Sequence, residues 1–142
     1  MATKGRRILI VDDDHDVIAV LRHHLVAAGY GVHHAFDGVD ALAIAVREVP
    51  DLAISAVRMP GFDGFGLLAA LRANATTRAM PIVILAASGD ADCLARAARL
   101  GVDGHLPKPV RRDALLEMVA GKLDFIGGFA QSAGYRQLDA LV

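Results

Sequence analysis

Three aspartates in a row, Asp12-Asp13-Asp14, follow directly on the apolar run Ile8-Leu9-Ile10-Val11. Two carboxylates at the end of a buried strand make a hard-oxygen site of the kind Mg²⁺ takes, because that ion keeps several waters and needs few protein ligands. The same residues could instead cap a following helix and favour its positive end. Other chemistry-bearing residues are less well placed. His23-His24 lies in helical sequence and His33-His34 in strand sequence. Neighbours on a helix diverge by about 100° and neighbours on a strand face opposite ways, so neither pair is spaced to chelate. Cys93 is the single cysteine; it excludes an internal disulfide and suits a reducing cytosol. It stands in an Ala/Leu-rich helical stretch and reads as a small helix residue, not a reactive thiol. Gly61-x-x-Gly64-x-Gly66 is a turn cluster; no Gly-Lys-Ser/Thr follows it, as a phosphate loop would require.

The elements that must position these residues alternate along the chain. Arg7 to Val11 reads as a strand buried on both faces. A helix opening at Asp14 or His15 carries Val17, Ile18, Leu21, Leu25 and Val26 on one stripe and stops at Gly29. Tyr30 to Ala35 is a second strand, and Gly38 to Glu48 a second helix that ends before Pro50. Leu52 to Ala56 is a third strand, and Phe65 to Ala73 a third helix. Ile82 to Ala86 is a fourth strand, opened by Pro81, and helical sequence from about Asp90 to Leu100 leads to Gly101. A weak fifth strand lies near Gly104 to Leu106, and Asp113 to Phe125 is a fifth helix. This alternation argues for a parallel sheet with helices on both faces, where ligands sit beyond the carboxyl ends of the strands. That edge would collect Asp12, Asp13, Ala56, Ala86-Ala87 and Lys108.

The chain has 142 residues, 54% apolar and 22% charged, with a formal net charge of −1. Such a composition fits one compact domain. The near-zero charge gives no pull toward nucleic acid, and the basic pairs Arg6-Arg7 and Arg111-Arg112 are short. No apolar run approaches membrane-spanning length, and the N-terminal one is too short for a signal-peptide core. The expected location is the cytoplasm. Gly127-Gly128 is expected to break the last helix. The expectation is a domain over 1–126 and a helical extension over 127–142, whose Tyr135, Leu138, Leu141 and Val142 fall at spacings of three and four.

Several motifs in order give this sequence a family resemblance over roughly residues 6 to 125. Ile8-Leu9-Ile10-Val11-Asp12-Asp13 resembles the first strand and acidic pair of response-regulator receiver domains. Met59-Pro60-Gly61-Phe62-Asp63-Gly64 resembles the loop after their third strand, and Lys108-Pro109 their lysine and cis-proline step. The resemblance implies a doubly wound, five-stranded parallel α/β sheet of the flavodoxin-like kind. It also implies that Asp12 and Asp13 carry metal carboxylates and that Lys108 serves the phosphate pocket. In the family the metal neutralises phosphoryl oxygens while an acceptor aspartate attacks in line.

The departures fall on the switch itself. Ala56 occupies the phosphoacceptor position, Ala86 the Ser/Thr position and His105 the aromatic switch position. Alanine cannot form an acyl phosphate. Three altered parts of one mechanism fit natural loss of phospho-switching better than a single engineered change. Ser55 is adjacent but points to the other face of the sheet, and Asp51 is at the wrong end of the strand. Asp12 or Asp13 is the alternative acceptor.

The expectation is therefore a stand-alone receiver protein, not an enzyme, working by protein contacts in a two-component phosphorelay. Its partners would be a histidine kinase, a phosphotransfer protein or another receiver, and residues 129–142 would either form a homodimer contact or fold back on the fourth or fifth helix. Mg²⁺ binding would be weak or absent. The residues after the fifth helix are too few for a helix-turn-helix output domain, so nucleic acid is not expected as a partner; without a membrane-length apolar run, neither is a membrane.

Overall fold

The computed structural model describes residues 5–87 and 89–135. Strands β1 (Arg7–Val11), β2 (Gly31–Ala35), β3 (Leu52–Ala56), β4 (Ile82–Ala87) and β5 (Gly104–Lys108) alternate with α1 (His15–Ala27), α2 (Gly38–Glu48), α3 (Gly64–Ala73), α4 (Ala91–Arg99) and α5 (Arg112–Tyr135). All strand pairs are parallel, in the order β2-β1-β3-β4-β5. This is the expected doubly wound architecture.

Strand alternation divides the core into two layers. Ile8, Ile10, Leu52 and Ile54 pack with Ile18, Leu21 and Leu25 of α1 and with Leu115, Val119 and Leu123 of α5. Leu9, Val11 and Ala53 face the other way, onto Ala41 and Ala45 of α2 and Leu67, Leu68 and Leu71 of α3. A third cluster beside β4 joins Ile84 and Ala86 to Cys93 and Ala97 of α4 and Phe65 of α3. Each fully buried Ile or Leu contributes about 1.5–3 kcal/mol. The central strands are therefore a rigid base for their carboxyl ends.

Four helices begin in the same way. Asp14, Asp37, Asp63 and Asp90 are the N-caps of α1, α2, α3 and α4, and each carboxylate accepts backbone N–H groups of the first turn. Gly29 and Gly101 follow α1 and α4 with φ of 99° and 83°, which only glycine adopts without strain.

Two expectations need correction. Val26 is half exposed and lies off the buried stripe of α1. The Gly127-Gly128 pair does not end the last helix, because α5 runs through it to Tyr135. Two glycines cost a helix only about 1 kcal/mol each relative to alanine, and no proline follows Pro109 to impose a stop. Leu138, Leu141 and Val142 of the expected apolar stripe lie outside the described residues.

Candidate functional site

Four strand ends meet at one edge of the sheet. Asp12 leaves β1, Ala56 closes β3, Ala87 closes β4, and Lys108 closes β5 in register with Ala87. The Lys108-Pro109 peptide is cis. Asp12 is fully buried, while Asp13 and Asp14 are exposed.

The three aspartates divide the work. Asp14 caps α1, its Oδ1 accepting from Asp16 N at 2.9 Å and Val17 N at 3.4 Å. Asp12 Oδ1 accepts from Asp14 N at 3.0 Å. Asp12 Oδ2 stands 2.7 Å from Lys108 Nζ. Oδ2 is buried, and the Lys108 ammonium is its partner in an ion pair. Capping therefore accounts for Asp14 but not for Asp12.

Position 56 adds no side-chain oxygen to this edge. Ala56 is 1% exposed and packs with Val11, Met59 and Leu68. Ser55 is buried, and its hydroxyl donates to the Ala56 carbonyl at 2.8 Å. The β3–α3 loop folds back tightly here. Gly64 N donates to Val57 O at 2.8 Å, and any Cβ on Gly64 would overlap the Ala56 carbonyl. Phe62 is wedged between Gly38 and Gly66, where a Cβ would lie 2.6 Å and 2.8 Å from its ring. The glycine cluster shapes the loop; it is not a phosphate cradle.

A cavity of about 170 Å³ opens beside this edge, lined by Val57, Arg58, Leu85, Ala86, Ala87, Asp90, Cys93 and Lys108. Across it Arg58 Nη2 donates to Asp90 Oδ2 at 2.7 Å. That bond, with the Cys93 amide, holds the Asp90 carboxyl below the usual carboxylate range and raises Arg58. Burial pushes the Cys93 thiol up, and the Asp90 charge adds to the effect. Neither Arg58 nor Asp90 stands out in the sequence, because they lie 32 residues apart on separate loops.

The remaining candidates lie apart. His105 is exposed on edge strand β5. His33 Nε2 lies 4.0 Å from Glu48, and His34 meets Phe36 edge-on. His15 stacks on Phe36 with centroids 3.9 Å apart. Among the described residues, no three His, Cys, Asp or Glu side chains are grouped to hold a metal ion. Asp12 and Asp13 are the two carboxylates at the end of β1, and Asp12 faces the Lys108 ammonium.

Residues 8–120 match the response regulator receiver domain family. The chain belongs to that family. It is 36% identical over 124 residues to the transcriptional regulatory protein GlrR of Escherichia coli, covering 87% of this chain and 28% of that protein. It is 38% identical over 104 residues to the response regulator PleD of Caulobacter vibrioides, covering 73% and 23%. The chain thus spans about a quarter of the length of these curated relatives. Among solved structures, the chemotaxis protein CheY4 of Vibrio cholerae superposes with a TM-score of 0.78 at 32% identity, over 82% of this chain and 97% of that one. The receiver domain of a Pseudomonas aeruginosa sensor histidine kinase, with a magnesium ion coordinated in its cleft, gives 0.78 at 28%, over 84% and 98%.

Proposed function

We propose that this receiver domain works within a two-component pathway by protein–protein contact, without being phosphorylated at position 56. The observation that carries this reading is Ala56 at the end of β3, beside the ion pair of Asp12 and Lys108. A methyl group offers no nucleophile. The lysine that would bind phosphoryl oxygens already faces a buried carboxylate, and Ala86 supplies no hydroxyl.

The docking surface in this reading is the groove between α1 and the β5–α5 loop. Val17, Val20, Leu21, Pro109 and Val110 line about 210 Å³, with Asp16 and Lys108 at its rim. Val20 is 48% exposed. An apolar helix face from a histidine kinase, a phosphotransfer protein or another receiver fits such a groove. Mg²⁺ would be held weakly by Asp12 and Asp13, and no step of this signalling requires it. Residues 129–142, continuing from the long α5, are assigned to a homodimer contact.

The test is calorimetric titration with a histidine phosphotransfer domain, with and without a phosphodonor. Equal affinity in both arms, weakened about tenfold or about 1.4 kcal/mol by Val20→Asp, is the expected result. Binding seen only with the donor would contradict it.

A further inference from the structure

The cavity beside β4 has a floor and a mouth made of different residues. Leu85, Ala86 and Cys93 are buried and form the floor. The Arg58 side chain is 79% exposed and that of Asp90 21%, so their contact lies at the solvent side. Arg58 belongs to the loop after β3, and Asp90 to the loop after β4. Asp90 has two duties: Oδ2 accepts from Arg58 at 2.7 Å and Oδ1 accepts from Cys93 N at 3.1 Å. One carboxylate therefore starts α4 and ties it to the neighbouring loop.

We propose that Arg58 and Asp90 form a latch over this cavity that holds the start of α4 in one position without phosphoryl chemistry. Farther along α4, the Arg96 guanidinium sits 4.2 Å from the Phe65 ring centroid, fastening the helix to α3 by an independent contact. Opening the latch thus frees the first turn of α4 while its middle stays docked. The lysine that lines the cavity, Lys108, is engaged by Asp12 and does not compete for Asp90. The depressed Asp90 pKa agrees with a carboxylate that stays charged in this contact. The latch stands whether or not position 56 accepts a phosphoryl group, so its failure and that of the contact-signalling reading are separable.

Cys93 reports on the latch, because it is the only cysteine in the chain and is buried at the cavity floor. The experiment is the reaction rate of the full-length protein with an aromatic disulfide reagent, without kinase, donor or metal. Asp90→Asn keeps a capping oxygen for the Cys93 amide and loses the charge; Arg58→Met keeps the apolar stem. Each variant is expected to react roughly two- to fivefold faster, the size of one partly exposed ion pair. The double variant should react no faster than either single one, because one contact is being removed. About 0.5 M salt should accelerate the unaltered protein and leave the variants unchanged. Unchanged rates in both variants, acceleration by Asp90→Asn alone, or indifference of the unaltered protein to salt would each overturn the latch. The salt comparison uses the unaltered protein, so misfolding of a variant cannot confound it.

Discussion

Lys108 Nζ lies 2.7 Å from Asp12 Oδ2, a fully buried oxygen for which it is the counter-charge. In the proposed reading, the pair places a charge contact where the receiver family manages phosphoryl and metal charges. Within this protein it doubles as a structural element, joining the ends of β1 and β5 across β3 and β4.

Removing the lysine leaves the Asp12 carboxylate without its counter-charge. Lys108→Met should destabilise the domain by about 1–3 kcal/mol, as expected for a buried polar group losing its partner. The lysine side chain is 33% exposed, which keeps the effect below that of a fully buried pair. Urea unfolding at neutral pH measures it. Adding Asp12→Asn to Lys108→Met should recover part of the loss, whereas an unchanged midpoint for Lys108→Met would contradict this role for the lysine.

Much of this edge was legible in the sequence because strand periods and turn residues are local signals. The end of β3 at Ala56 and the stops at Gly29 and Gly101 followed from them. The division of labour within Asp12-Asp13-Asp14 did not, since capping depends on backbone dihedrals at Asp14 and burial depends on β5 arriving beside Asp12. Arg58 and Asp90 were invisible for a similar reason: two loops from separate βα units bring them together. The fifth helix ran on past Gly127-Gly128 because glycine lowers helix propensity without forbidding it. Proline would have been a true stop.

Divalent-ion binding should be weak. Calorimetric titration with Mg²⁺ should show no tight, stoichiometric binding by the unaltered protein, because Asp12 and Asp13 lack a third carboxylate at position 56. Ala56→Asp should strengthen binding severalfold. Tight binding before any substitution would contradict the donor-set reasoning.

Tyr30 should make the domain's stability fall at alkaline pH. Its phenol is buried, and its pKa is raised above 10.0 by that burial and by the Asp124 charge, against an opposing effect of Arg6. The folded state therefore holds this proton more tightly than the unfolded chain does. Its contribution is fully present below the unfolded value near 10 and is lost as pH rises through the folded value. Urea midpoints measured across that range should fall, and Tyr30→Phe should flatten the fall. An identical decline in the variant would assign it to other groups.

The homodimer assigned to residues 129–142 has a direct check. Light scattering should give a dimer for the full chain and a monomer for a version ending at Ile126. Both monomeric would eliminate the assignment.

The central claim is that the domain carries no acyl phosphate, neither at position 56 nor on a neighbouring carboxylate. Incubating the full-length protein with Mg²⁺ and acetyl phosphate, then measuring intact mass, tests it most directly. No added phosphoryl mass is expected, with slow partial labelling at most after Ala56→Asp, because Ala86 still lacks the hydroxyl. A stoichiometric, base-labile phosphoryl adduct on the unaltered protein, on Asp12, Asp13 or any other carboxylate, would contradict it.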